Sequence, residues 1–363
     1  MTAPLLLHVY PTFAVGGAQA RFAAIANHFG PRWRHAIIAM DGERACAARL
    51  SAELDVVYPE ILVRKGNTLG NVGRFRAALR TLRPHALVTS NWGSIEWAIA
   101  NRWPAVRHIH VEDGFGPEER AAQLPRRVWT RRLALRRATV VVPSRLLHGI
   151  ATQIWRLDAR RLRYVPNGID LARFRPAARP DGQGLVIGTV AALRAEKNLA
   201  RLLRAVALAR GRAPHLAGQL RLVIVGGGPE RGALEALATE LGLIGCVEFA
   251  GHSGEPQGFY AGFDVFALSS DTEQMPLSVL EAMAAGLPVA ASDVGDVRAM
   301  LAEANGPFVV PRDDGALADA LLGLLADAGL RRAVGSANRD KAERDYDQAR
   351  MFAAWAALFD GVV

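Results

Sequence analysis

The stretch whose reading decides the fold is residues 271–295, DTEQMPLSVLEAMAAGLPVAASDVG. It opens in polar loop residues, and Pro276 suits the first position of a helix, where no backbone N–H is missed. Residues 277–285 read as a short helix of good formers, Gly286 ends it in a left-handed turn, and Pro288 blocks its continuation. Residues 287–291 then make a brief apolar strand. Two carboxylates stand eight residues apart, Glu273 before the helix and Glu281 inside it. The N–H groups at the helix start, over residues 274–278, form a positive pole between them where an anion can rest. A phosphate group on a polyhydroxylated body fits such a place, with amides for the charge and carboxylates as acceptors for hydroxyls. For a lone pair of glutamates at this spacing, a solvated surface helix is the commoner outcome.

Working outward, the chain of 363 residues is long enough for two sizeable cores, and half of it is hydrophobic. Lysine occurs only at Lys65, Lys197 and Lys341, while arginine is abundant, a bias that a GC-rich genome explains. The net charge of +9 and a pI near 10.3 point to an anionic partner: a nucleotide, a nucleic acid or an acidic membrane surface. Cys46 and Cys246 are too few for a disulfide framework and lack metal-ligand spacing, so the expected compartment is reducing and cytoplasmic. The amino end MTAPLLLHVY has no basic leader and reads as a first strand, and no window approaches the ~20 apolar residues of a membrane span.

Short apolar runs alternate with helical patterns throughout, which is the mark of parallel α/β architecture. Residues 5–10 are the first strand, followed by a loop over 11–17 and a helix over 18–29 closed by Gly30. Gly16 and Gly17 sit at that helix's start, where backbone can approach a phosphate closely or simply make a tight turn. Further strands are expected at 35–40, 86–89, 106–111 and 139–143. HIHVEDGFGPEE, from His108, ends a strand and enters a loop, the position where α/β sheets place ligands. His108, His110 and Glu112 share one face of that strand, with Asp113 opposite. Residues 120–137, RAAQLPRRVWTRRLALRR, read as a basic helix running from Arg120 through Arg137. Val128, Trp129, Leu133 and Leu135 are its apolar side, so it either covers the sheet or lies on an anionic membrane.

VPNGID (165–170) and the Pro/Gly-rich ARPDGQG (178–184) mark a boundary, after which residue 185 restarts the alternation. The strand at 185–190 leads to AALRAEKN, where Arg194 and Lys197 can reach one diphosphate. The apolar strand at 220–225 is followed by GGGPER, which includes Gly227 but is not the G-x-G-x-x-G dinucleotide fingerprint. A short strand at 247–251 ends beside His252, and helices at 315–325 and 338–360 close the chain.

The string EQMPLSVLEAMAAGLPV resembles the signature of retaining glycosyltransferases of family four, and VPNGID resembles that family's interdomain segment. The resemblance covers nearly the whole chain and is most specific over residues 165–295. It implies the GT-B fold: α/β, with two Rossmann-like domains facing a central cleft and a C-terminal helix crossing back to the first. The corresponding division is 1–168 for the acceptor side, 169–340 for the nucleotide-sugar donor side and 341–363 for the returning helix. It implies a metal-independent enzyme needing no cofactor, which moves a sugar from a UDP-, GDP- or ADP-sugar to a hydroxyl acceptor in polysaccharide, lipopolysaccharide or other glycoconjugate biosynthesis.

The same resemblance implies the roles of residues. Arg194 and Lys197 would stabilise the departing diphosphate, Glu273 would hold the sugar hydroxyls and Glu281 the ribose. Gly16, Gly17, Gly227, Gln274, Met275, Pro276 and Leu277 would line the donor, His252 would lie near the base, and His110 would contact the sugar. Asp113 and Glu112 are the acceptor-side candidates. A metal site from His108, His110 and Asp113 is set aside, since members of this fold usually need none. Relatives act on lipid-linked acceptors, which is consistent with a protein peripheral on the inner face of the cytoplasmic membrane. Where Asp296 stands relatives often carry Glu, a small departure. Alternatives are a nucleotide-sugar epimerase of the same fold or a non-catalytic nucleotide-sugar-binding module. A phosphorylase would need a pyridoxal-bearing lysine, where this chain has three lysines with Lys197 already used, and a nucleic-acid binder would interleave aromatics among its arginines.

Overall fold

The computed structural model describes residues 3–64, 66–103, 105–119, 122–177 and 184–362. The expected linker over 178–184, apart from Gly184, and the first two residues of the expected basic helix lie outside the described residues. The chain divides into two compact units, Met1–Pro166 with Met351–Val363, and Asn167–Arg350.

The first unit is built on seven parallel strands: β1 (Leu5–Tyr10), β2 (Arg34–Ala39), β3 (Val56–Val57), β4 (Ala86–Ser90), β5 (His108–Val111), β6 (Thr139–Val142) and β7 (Leu162–Tyr164). Their order is β3-β2-β1-β4-β5-β6-β7. The second unit carries β8 (Leu185–Val190), β9 (Leu220–Val225), β10 (Val247–Gly251), β11 (Val265–Leu268), β12 (Val289–Ser292) and β13 (Val309–Val310), ordered β10-β9-β8-β11-β12-β13. Both are the doubly wound order in which the chain reverses direction across the sheet beside its first strand. The crevices therefore open at the carboxyl ends of β1 and β4 in one unit, and of β8 and β11 in the other. The strands read as unbroken apolar runs because helices cover both faces: Leu6, Leu7, Ile187, Leu222 and Val289 are fully buried.

The closing helix runs Gln348–Asp360, and from Met351 it belongs to the first unit. Met351, Phe352, Trp355 and Phe359 pack with Leu6, Ile25, Trp33 and Ile109 in one core. Asp360 accepts from Trp33 Nε1 at 3.1 Å and from Arg32 at 2.6 Å. The single helix expected over 338–360 is in fact two, Ala328–Asp345 and Gln348–Asp360. The break lies where Ile169 donates to the Tyr346 carbonyl and accepts from the Gln348 N–H, taking backbone groups that a continuous helix would use.

The basic helix is also shorter and turned differently from expectation. It spans Pro125–Ala134, with Arg127 and Arg131 facing inward and Trp129 and Leu133 outward, 60% and 56% exposed. The cause is acidic. Arg131, fully buried, reaches Glu112 at 3.3 Å and Glu119 at 3.1 Å, and Arg127 reaches Glu119 at 3.0 Å. The Arg131 guanidinium also lies over the rings of Trp92, Phe115 and Trp155. Two paired carboxylates thus outweigh the apolar pattern in choosing which face points in.

Candidate active site

In the second unit, the loops after β8 and β11 meet. The β8 loop is stitched to the glycine loop after β9, with Leu193 N–H donating to the Gly227 carbonyl and Glu230 N–H to that of Leu193. Gly226, at φ 151, is required there, because a Cβ would stand 1.8 Å from the Ala191 oxygen. After a single turn over Ala195–Lys197, Asn198 adopts a left-handed conformation (φ 42) and caps helix Leu199–Arg212 by accepting from Arg201 N–H. Its amide also donates to Asp271, which accepts from Arg201 at 2.8 Å as well. Asp271 N–H donates to the Glu196 carbonyl, and Ser269 Oγ donates to that of Lys197.

These bonds bring two expected site residues together. Lys197 Nζ lies 2.6 Å from Glu273 Oε1, and Ser270 Oγ donates to the same oxygen at 2.7 Å. The lysine side chain is 25% exposed and the glutamate 9%, so the pair is sheltered with its cation toward solvent. The loop carrying Glu273 is pinned from the end of β12: Asp296 N–H donates to the Gln274 carbonyl. Gly295, at φ 56, permits the approach, since a Cβ there would come within 2.2 Å of the Glu273 carbonyl oxygen. Met275 is buried, its carbonyl accepting from Asn167 Nδ2 at 3.0 Å. Pro276 is extended (φ −67, ψ 125) and stands one residue before the helix, Leu277–Ala284, rather than at its first position. The half-buried Glu281 accepts from the Tyr260 hydroxyl at 2.6 Å. Burial, and then the Glu281 charge, push the Tyr260 phenol well above its ordinary range, so it stays a donor.

Other expected residues are not joined to this pair. Arg194 is exposed, with no side-chain bond among the described residues, and the exposed His252 lies beside Gly227.

In the first unit, Gly16 is extended and precedes helix Gly17–Phe29, and both glycines are exposed. His110 is fully buried; its Nδ1 shares Thr89 Oγ1 with His108 Nε2, both at 2.8 Å. Its Nε2 stands 3.6 Å from Glu112 and has no hydrogen bond. Glu112 is likewise fully buried, against Arg131. Asp113 accepts two bonds from Arg21, of 2.7 and 2.9 Å, and its own N–H donates to Asn91 Oδ1 at 2.7 Å. Burial, then the neighbouring His110, lower the His108 imidazole to about 3. Among the described residues no group of three His, Cys, Asp or Glu is placed to hold a metal ion.

Sequence reasoning missed Ser270, Asn198, Tyr260, Asn167 and Arg21. Asn198 directly follows Lys197, Ser270 is three residues before Glu273 and Asn167 lies within VPNGID, so proximity to a motif was their one signal; Tyr260 and Arg21 carried none.

Solved structures share this fold. The Anabaena HepE structure in complex with UDP-glucose superimposes with a TM-score of 0.80 at 18% identity, covering 99% of this chain and 100% of that one. WaaG, a glycosyltransferase involved in lipopolysaccharide biosynthesis, gives 0.75 at 18% identity over 98% of this chain and 100% of the other. The architecture is therefore GT-B. Residues 15–173 match the family model Glycosyltransferase Family 4, and 172–341 match Glycosyl transferases group 1. The chain belongs to this glycosyltransferase family. A D-inositol 3-phosphate glycosyltransferase of Stackebrandtia nassauensis is 31% identical over 279 residues, which is 69% of this chain and 62% of the relative. The chain thus spans about three fifths of the length of that relative.

Proposed function

We propose that the protein is a retaining, metal-independent glycosyltransferase that moves a sugar from a nucleotide diphosphate sugar to a hydroxyl acceptor. The observation that carries this is the Lys197–Glu273 pair, 2.6 Å apart where the β8 and β11 loops meet, at the switch point of the second sheet. An ammonium has three donors, so Lys197 can hold a diphosphate oxygen while it keeps Glu273 in place. Arg194, unengaged and exposed, supplies a second cation. Together with the N–H groups opening helix Leu277–Ala284, the two cations stabilise charge growing on the leaving diphosphate. Glu281, oriented by Tyr260, takes the ribose hydroxyls, and Glu273 takes the sugar hydroxyls and favours the positive charge that develops on the ring. The acceptor then attacks from the leaving-group face, with no covalent glutamate.

In the first unit we assign the acceptor side to the strand ends around Asp113, with Glu112 serving to hold the inward Arg131. The exposed Trp129 and Leu133 support peripheral association with an anionic membrane. A structural neighbour solved with UDP-glucose supports testing a UDP-sugar first among the donors. The test is thermal unfolding against UDP-, GDP- and ADP-sugars, since a ligand bound only by the folded state raises the midpoint. One of the three should raise Tm and support transfer; no shift with any would refute the reading. Donor binding without transfer to any acceptor, and without hydrolysis, would favour the non-catalytic module.

A further inference from the structure

At the opposite edge of the first sheet, at the amino ends of its strands, lies a pocket of about 290 Å³. It is distinct from the carboxyl ends of β4 and β5, where Asn91 and Asp113 meet. Three successive connections into strands line it: Arg102 and Arg107 before β5, Arg136 and Arg137 before β6, and Arg161 before β7. Among the described residues, no Asp or Glu is in the lining. Arg107 is already spent on the Leu358 and Phe359 carbonyls, and Arg161 donates to the Arg137 carbonyl at 3.1 Å. Arg102, Arg136 and Arg137 have no ion-pair or side-chain hydrogen-bond partner among the described residues, and all three are exposed.

Arginines commonly follow helix C-termini, where the dipole welcomes them. That accounts for one residue after each helix, yet here three unneutralised guanidiniums border one concavity. Elsewhere in this unit inward arginines are matched by carboxylates, as Arg21 is by Asp113 and Arg131 by Glu119. Concentrating like charges around a pocket is unfavourable unless an anion enters it. A planar guanidinium presents paired N–H groups that match phosphate oxygens.

We propose that this pocket is an anion site for a ligand carrying clustered phosphate groups, separate from any donor site. The phosphates come either from a soluble polyphosphorylated molecule or from a lipid headgroup; Leu133, which lines the pocket and is half exposed, gives an apolar rim suited to the second source.

The experiment uses the full chain and inorganic pyrophosphate, by calorimetry at physiological salt, with Lys197→Ala as the background that disables the other phosphate-binding loop. Binding should persist in that background and weaken about tenfold or more on adding Arg136→Ala and Arg137→Ala. Both are exposed, so the variant should fold, and an unchanged unfolding midpoint checks this. A parallel flotation assay with vesicles of phosphatidylcholine and phosphatidylglycerol separates the sources. Arginine-dependent binding to vesicles alone assigns a headgroup, and to pyrophosphate alone a soluble ligand. Absence of binding to both, or binding that the two substitutions leave unchanged, would overturn the proposal.

Discussion

In the first sheet, Arg21 clasps Asp113 through two hydrogen bonds, with side chains 7% and 17% exposed. In the second, where the loops after β8 and β11 meet, Lys197 meets Glu273 through one bond and stands 25% exposed. The strand orders are alike, so the difference lies in how completely each cation is used. A bidentate guanidinium–carboxylate pair satisfies both partners and fixes a backbone. A lysine with one bond retains donors for something else. The same contrast extends outward: the first unit encloses Arg131 among Glu112, Glu119 and three aromatic rings, while Arg194 in the second is exposed. Charge in the first unit is largely architectural at these strand ends, and in the second it is available.

Breaking the comparison at its strongest point means Arg131→Met, which strands Glu112 in the interior and leaves Glu119 to Arg127 alone. Loss of one member of a buried ion cluster should cost roughly 3–5 kcal/mol, read as a lower urea midpoint. A cost below about 1 kcal/mol would show that these carboxylates are not held by charge.

Lys197→Ala should do the reverse. Stability should change by about 1 kcal/mol or less, since the pair is partly solvated. Donor affinity, measured by calorimetry, should fall about 10- to 100-fold as a charge-assisted phosphate contact disappears. Unchanged affinity would remove Lys197 from the donor site.

The first unit should also be the acid-sensitive one, because it buries His8, His35 and His108. Burial lowers His35 to about 4 and His108 to about 3, so the folded forms refuse a proton that the unfolded chain accepts near 6.5. Stability is then full above about pH 6.5 and falls as pH drops, by about 2 kcal/mol at pH 5 for His108. His108→Gln should flatten the change in urea stability between pH 7.5 and 5; an identical slope would contradict this.

A smaller effect is expected at Glu281→Ala. The ribose is unchanged by the reaction, so the donor KM should rise, roughly tenfold, with kcat nearly constant. A fall in kcat with KM unchanged would move Glu281 to the reacting centre.

The two sites differed as much in legibility as in construction. Residues 271–295 are one continuous string, and the helix, its left-handed stop at Gly286 and the following strand could each be read from local chemistry. Arg194 and Lys197 stood out because they share a short loop and lysine is so rare here. The first unit's charge clusters join residues 92 apart (Arg21 and Asp113) or on separate elements (Glu112, Glu119 and Arg131), and no spacing announces such pairs. The helix Pro125–Ala134 shows the consequence: its apolar residues suggested one inward face, but the carboxylates opposite chose another. The break at Tyr346 was hidden for a similar reason, since its cause, Ile169, lies far back in the chain.

The central claim is that Glu273 acts on the transferred sugar as charge develops, and Glu273→Gln tests it most directly. The amide keeps the size and the reach to Ser270 Oγ and loses only the charge. Donor dissociation measured without acceptor should change little, while single-turnover transfer should slow by roughly 10²-fold or more. Full transfer by a variant shown to be folded and to bind donor would contradict the account.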